Sequence, residues 1–218
     1  MNATPANSID PTGIVGHFVN GTERADDNRP LPVTNPATGR VIRQVAMASA
    51  GTVAEAVAAA QAAFPEWRDT PPAKRARIMF RFKQLLEENA ELIASAITEE
   101  HGKVFDDAMG EFGRGVEIVD YACGIPELLK GEYSRNVGPG IDSWSDFQPL
   151  GVVLAVMPWN FPFWQAFRCA APALMAGNTM LLKHSSNVPQ CSLAIEEVFT
   201  QAGFPCDVFT SLLIGAKK

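Results

Sequence analysis

Two polar endings in an otherwise apolar stretch define the chemistry this chain can offer. The run Val152–Met157 is continuous, apolar and rich in β-branched residues, and it ends in Pro158-Trp159-Asn160. A second apolar run, Thr179–Leu182, ends in Lys183-His184-Ser185-Ser186. An indole, an amide, an ammonium and two hydroxyls therefore follow two strand-like segments. Asn160 suits donation to a developing oxyanion, a role in which one donor is worth roughly 3–4 kcal/mol. It also suits capping of a helix that starts near Pro162, which needs only its side-chain oxygen. Lys183 reads as solvated surface or as a ligand contact. His184 reads first as a packed or exposed ring and only then as a catalyst.

Other chemistry is excluded or left without support. No Gly-x-Gly-x-x-Gly follows the first run, so the usual dinucleotide fingerprint is absent. The second run ends in donors, where many such folds place a carboxylate for a ribose 2′-hydroxyl, and this composition tolerates a 2′-phosphate. Cys123, Cys169, Cys191 and Cys206 lack metal-ligand spacing and read as reduced thiols, so no metal site is expected. None of the four has a base nearby in sequence, and His17 and His101 have no evident partners.

The elements that position these residues are legible from periodicity. Helices are expected over Phe163–Met175, closed by Gly177, and over Val188–Ala202, stopped by Gly203, with a third strand at Val208–Ile214. The resulting β-α-β-α-β order is half of a doubly wound parallel sheet. In such sheets ligands bind beyond the carboxyl ends of the strands, so both polar endings fall on one rim. Val152–Met157 reads as a strand buried on both faces.

Upstream, Asn20-Gly21 marks a hairpin, and Asn35-Pro36 with Gly39 marks a turn between two strands, together a small antiparallel element. Thr52 and Glu55 form a capping-box pair, and Thr70-Pro71 marks a second helix start. That second stripe runs to Gly102 with a break near Asn89. A helix over 106–130 carries Gly110, Gly113 and Gly115, which tight packing explains best. The organisation expected is a loose tail at 1–14, strands and helices at 15–135, an oligomerisation-type strand at 136–150, and the half-sheet at 151–218.

Composition bounds the partners. With 218 residues, 47% hydrophobic and 19% charged, the chain is a globular one, and its net charge of −6 argues against nucleic acid or an anionic membrane. No secretory signal pattern or membrane-length apolar run is present, so a cytoplasmic location is expected.

The stretches "PLGVVLAVMPWNFPFW" (149–164) and "APALMAGNTMLLK" (171–183) resemble the aldehyde dehydrogenase superfamily. "NPATG" and "EEHGK" are similar to its patterns in the earlier elements, and the resemblance runs from about Val15 to Gly215. It implies oxidation of an aldehyde by NAD or NADP: a cysteine thiolate attacks, hydride passes to nicotinamide, and the thioester goes to water or coenzyme A. Under this resemblance Asn160 is the oxyanion donor. Met157 and Trp159 face the cofactor, Lys183 contacts the adenosine ribose, and Ser185 and Ser186 complete that site. Ser186 stands where many members carry a glutamate, so NADP is tolerated.

The 106–132 stretch is similar to methylmalonate-semialdehyde dehydrogenase, the coenzyme A-acylating branch, in which an arginine matching Arg114 binds the substrate carboxylate. "PWNFPFWQAFR" with Lys183-His184 is closer to succinate-semialdehyde dehydrogenase. Without the resemblance Arg114 reads as a surface helix arginine. The resemblance implies an incomplete aldehyde dehydrogenase fold, an α/β first half whose nucleophilic cysteine and general-base glutamate lie past residue 218. The 218 residues alone are then inactive, and the full-length protein is a homo-oligomer. The alternative is a non-catalytic relative that pairs with full-length subunits, with "GIDSWSDFQ" (140–148) at the position of an inter-subunit strand.

Overall fold

A computed structural model describes residues 14–24, 26 and 30–215. All but the last residue of the expected N-terminal tail lies outside the described residues. Strands β1 (Ile14–Val15), β2 (His17–Val19), β3 (Thr22–Arg24), β4 (Leu31–Thr34) and β5 (Val41–Val45) open the chain. The β2–β3 hairpin turns at Asn20 and Gly21, with φ of 54° and 68°, the positive pair that a tight twisted hairpin requires. In the β4–β5 turn, Asn35 Oδ1 accepts from the amides of Ala37 and Thr38 at 2.9 and 3.2 Å. The opening element is antiparallel only in part, because β1 joins β5 in parallel.

Helix α1 (Ala50–Asp69) begins earlier than the Thr52–Glu55 pair suggests. Ser49 is the cap, its Oγ accepting from the Thr52 amide at 3.1 Å. The Thr52 hydroxyl turns instead to the carboxylate of Asp26, at 2.8 Å. Thr70 likewise does not cap α2 (Pro72–Glu88); its hydroxyl donates back to the Glu66 carbonyl at 2.8 Å. The expected break is at Asn89, after which α3 runs Ala90–His101. Helix α4 spans Phe105–Cys123 and the short α5 spans Ile125–Leu128.

The half-sheet consists of β8 (Val152–Val156), β9 (Thr179–Lys183) and β10 (Phe209–Leu212), all parallel, in the order β10-β9-β8. Helices α6 (Pro162–Met175) and α7 (Pro189–Ala202) form the crossovers. Alternation along β9 decides what each face touches. Thr179 and Leu181 meet α1, with the Thr179 hydroxyl donating to the Ala60 carbonyl at 3.0 Å, whereas Met180 and Leu182 join the core beneath α6 and α7. Thus β9 and β10, not β8, are the strands buried on both faces. β8 is an edge strand, and Leu154 and Val156 are 60% and 63% exposed because α1 does not reach them.

Aromatic rings lock the helices onto this sheet. Phe82 of α2 stacks on Phe199 of α7 at 3.9 Å and meets Phe167 of α6 edge-on at 5.5 Å. The buried guanidinium of Arg75 donates to the carbonyls of Thr70, Arg68 and Met175 at 2.5, 3.1 and 3.1 Å, joining the C-terminal ends of α1 and α6. Of the three α4 glycines, only Gly115 is forced by packing, since a Cβ there would sit 2.9 Å from the Phe167 ring. Gly110 and Gly113 have no neighbour close enough to require glycine.

Where a single oligomerisation-type strand was expected over 136–150, a two-stranded hairpin occurs: β6 (Tyr133–Gly138) and β7 (Ile141–Trp144), followed by an extended segment. It leaves Tyr133, Val137, Ile141, Trp144 and Phe147 exposed. Among the described residues no helix is long and apolar enough to cross a membrane, and no cluster of potential metal ligands occurs.

Candidate functional site

The rim at the carboxyl ends of β8 and β9 is one connected structure. The Met157 amide donates to the Lys183 carbonyl at 3.0 Å, extending the β8–β9 ladder to the last residue before the loop. His184 is buried beneath it. Its Nδ1 accepts from the Ser185 amide at 2.8 Å, which fixes the proton on Nε2, and Nε2 then donates to the Pro162 carbonyl at 2.9 Å. Burial pushes the pKa of this ring down to about 4, so it is neutral near pH 7. His184 is therefore a tie between the end of β9 and the start of α6, the packed-ring reading of its sequence.

Asn178 performs the same service at the opposite end of the strands. Its Oδ1 accepts from the amides of Leu150 and Gly151 at 2.7 and 3.1 Å, and its Nδ2 donates to the Ala173 carbonyl at 3.0 Å. The Gly-Asn-Thr stretch thus sets where β8 begins, and Gly177, at φ 98°, supplies the turn out of α6.

Asn160 does not cap α6. Phe161 occupies the cap position, with no side-chain hydrogen bond there. The Asn160 Oδ1 accepts from Gln165 Nε2 at 3.4 Å, while its Nδ2 takes no hydrogen bond among the described residues. Beside it the Trp159 indole is 51% exposed. Across the rim, the Lys183 ammonium makes no ion pair among the described residues. The Ser185 hydroxyl donates to Asn187 Oδ1 at 2.6 Å, and Ser186 is exposed. Donors without a carboxylate at the end of β9 fit the ribose and phosphate portion of a dinucleotide. Arg114 is exposed on α4, one residue before Gly115, which packs against Phe167 and the Trp164 backbone of α6, and it makes no ion pair or hydrogen bond with the rim among the described residues.

Several residues of the site were given no role from the sequence, although Glu100, His101 and Lys103 belong to the EEHGK stretch. The first turn of α6 takes its acceptor from another helix, because Glu111 Oε1 of α4 accepts from the Phe163 amide at 3.2 Å. The ammonium of Lys103 pairs with Glu111, donates to the Asn160 carbonyl at 3.0 Å and lies 4.3 Å above the Phe161 ring. The His101 ring packs on Trp159, at 5.2 Å. The Glu100 carboxylate accepts from the Gln190 and Cys191 amides at 2.9 and 3.0 Å, at the start of α7. Apart from the Lys103–Glu111 pair, these contacts cross from 52 to 91 positions along the chain, so no local spacing announces them.

The cysteines are poor nucleophiles. Burial pushes the Cys123 thiol up to about 11 and that of Cys191 well above its ordinary value. Cys169 is raised by burial too, and the exposed Cys206 is raised by burial and by the adjoining Asp207 carboxylate.

This geometry has close parallels. Over 193 residues the chain is 52% identical to the malonate-semialdehyde dehydrogenase of Pseudomonas aeruginosa, covering 88% of this chain and 39% of that protein. It is 45% identical to a probable NADP-linked succinate-semialdehyde dehydrogenase of Synechocystis, covering 86% and 41%. Among solved structures, methylmalonate-semialdehyde dehydrogenase of Oceanimonas doudoroffii superposes with a TM-score of 0.90 at 51% identity, over 94% of this chain and 42% of that one. A methylmalonate-semialdehyde dehydrogenase homologue of Sinorhizobium meliloti in complex with NAD gives 0.89 at 38% identity, over 92% and 41%. The chain thus spans about two-fifths of the length of these relatives. With residues 22–218 matching the aldehyde dehydrogenase family model, the chain belongs to the aldehyde dehydrogenase family.

Proposed function

We propose that these residues supply the oxyanion donor and one side of the NAD(P) site for oxidation of a short aldehyde carrying a carboxylate. The observation that carries this reading is the state of Asn160. It sits on the loop after the first parallel strand, is released from helix capping, and keeps an amide N–H pair free of protein acceptors among the described residues. An amide so held can donate to the oxygen of a tetrahedral intermediate without first giving up another bond. NAD(P), when bound, supplies the hydride acceptor.

The rest of the rim supports the same role. Trp159 and the segment from Met157 form one wall, Lys183 and Ser186 offer donors for the ribose, and the Ser185 hydroxyl, donating to Asn187, offers an acceptor. No carboxylate stands at Ser186, so a 2′-phosphate meets no repulsion from that position, and NADP is accepted as well as NAD. The nucleophilic thiol and the general base are assigned to a segment outside these 218 residues; burial pushes the Cys123 thiol up to about 11 and raises those of Cys169, Cys191 and Cys206, which suits none of them to attack. Arg114 is assigned to the substrate carboxylate through an approach completed by that segment. The semialdehyde relatives make malonate, methylmalonate and succinate semialdehydes the substrates to try, with coenzyme A as a possible acyl acceptor. The free thiols suit a reducing cytoplasm.

The test joins these 218 residues to the remaining portion of a full-length relative and follows reduction of NAD and NADP with each semialdehyde. Turnover in the joined chain, lost in Asn160→Ala, supports the reading; an Asn160→Ala chain as fast as its parent contradicts it.

A second reading is favoured by the exposed hairpin. Tyr133, Val137, Ile141 and Trp144 form an apolar surface on a two-stranded element, and β8 has a free edge. Both suit pairing with another aldehyde dehydrogenase subunit, either as a homo-oligomer of the full-length protein or as a non-catalytic partner of longer chains. Co-purification of the 218-residue chain with a longer family member supports the non-catalytic form of this reading, and a chain that stays monomeric beside one refutes it.

A further inference from the structure

We propose that the Lys103–Glu111 ion pair is the positioning device for the Asn160 donor, an inference that rests on the oxyanion role assigned above. The loop from Asn160 to Phe163 has little of its own to hold it. Its helix lacks a side-chain cap, and among the described residues the Asn160 side chain hydrogen-bonds only to the Gln165 amide, at 3.4 Å. Besides the His184 bond to the Pro162 carbonyl at 2.9 Å, what fixes it comes from two distant elements. Lys103, just after α3, donates to the Asn160 backbone carbonyl at 3.0 Å and covers the Phe161 ring at 4.3 Å. Glu111, a turn and a half into α4, accepts from the Phe163 amide at 3.2 Å.

The pair between them is buried, with 13% of the Lys103 side chain and 1% of the Glu111 side chain exposed. An ion pair so placed is a weak source of stability compared with apolar residues of the same volume, and its best-attested use is to select one arrangement. Here the arrangement selected is that of the residues flanking the amide. The carbonyl of Asn160 is held on one side, the Phe163 amide on the other, and the side-chain amide between them remains free. Lys103 and Glu111 touch neither substrate nor cofactor in this scheme; they act through Asn160. A donor misplaced by about 1 Å can cost roughly a hundredfold in rate, so loss of the pair is felt in turnover before cofactor binding.

Two measurements test this. In the 218-residue chain, hydrogen–deuterium exchange of the segment 158–165 is compared between the parent, Lys103→Met, Lys103→Arg and Glu111→Gln. Faster exchange in that segment for Lys103→Met, with α1 unchanged and Lys103→Arg intermediate, is the expected result. In the chain joined to a relative's remaining portion, Lys103→Met is expected to lower kcat about ten- to a hundredfold, with KM for NAD(P) within about twofold of the parent. Combined with Asn160→Ala, it should then cause little further loss, because both changes remove the same donor. Unaltered exchange, or losses that multiply in the double variant, would overturn the inference. If Lys103→Met does not fold, Lys103→Arg and Glu111→Gln decide by the same two readouts, since each keeps a hydrogen-bonding group in place. If the joined parent has no aldehyde activity, the oxyanion reading fails, and the exchange result alone still decides whether the pair holds the loop.

Discussion

Asn160 and His184 occupy neighbouring loops and were ambiguous for the same reason. Each residue type has a bland use, as a cap or a packed ring, and spacing alone does not separate that use from catalysis. Hydrogen bonds separate them. Asn160 leaves its amide N–H pair free among the described residues, so Asn160→Ala in the joined chain should lower kcat by at least about tenfold while the fold is kept. His184 is consumed by structure, with Nε2 on Pro162 and Nδ1 under Ser185, and its role should appear in stability.

The buried ring of His184 has its pKa pushed from 6.5 down to about 4 by burial. Between those values the unfolded chain binds a proton that the folded chain does not, so stability falls as pH falls, by at most roughly 3 kcal/mol. Glu100 works the other way, because burial raises its carboxyl to about 7 and the folded chain takes up the extra proton as pH falls. Urea unfolding of the parent and of His184→Gln at pH 7 and pH 4.5 isolates the histidine share. The parent should lose more stability on acidification than the variant; equal losses would show that His184 does not titrate as described.

Glycines at two junctions carry element-scale predictions. Gly102 ends α3 at φ 82°, and a Cβ there would approach Pro36 Cγ at 2.6 Å, so Gly102→Ala pays both a left-handed conformation and a clash. A loss of about 2 kcal/mol in chemical denaturation is expected, and one below about 0.5 kcal/mol would mean the junction relaxes freely. Gly131 lies at the base of the β6–β7 hairpin, where a Cβ would run into the Ser145 backbone carbonyl. Glu132 and Ser145 close that base through bonds of 2.9 Å in both directions. Gly131→Ala should therefore displace the hairpin and, if the hairpin joins subunits, lower the oligomeric state seen by light scattering.

Elements were legible in the sequence where one local pattern sufficed. The Asn20-Gly21 hairpin, the break near Asn89 and the β-α-β-α-β order all follow from turn residues and apolar periodicity within a short window. Caps were less legible, because Ser49, Thr52 and Thr70 are all plausible caps and a distant carboxylate, Asp26, drew Thr52 away. The burial of β8 was misjudged for a related reason. A continuous apolar run says that both faces could be covered, and only the sheet order shows that β9 holds the centre. At the site, Asn160, Trp159 and Lys183 stood out by residue type after a strand, whereas Lys103 and Glu111 did not. Their meaning depends on α3, α4 and α6 meeting, which is tertiary information.

At the scale of the whole molecule, the sheet β10-β9-β8 is covered on both faces except along the free side of β8. In a doubly wound fold the second half of the sheet adds next to the first strand, at the edge where Leu154 and Val156 are bare. Covering those residues should stabilise the molecule, so the joined chain should unfold at a higher denaturant concentration than the 218 residues alone. An equal midpoint would mean that the edge is not where the remainder docks.

The Asn160 rim is proposed above as the oxyanion and cofactor side of a semialdehyde dehydrogenase. The most direct test is the rate of NADH and NADPH formation by the joined chain with malonate semialdehyde, parent against Asn160→Ala. Turnover with both cofactors is expected in the parent, with a drop of at least about tenfold in the variant. Equal rates in the two chains would contradict it.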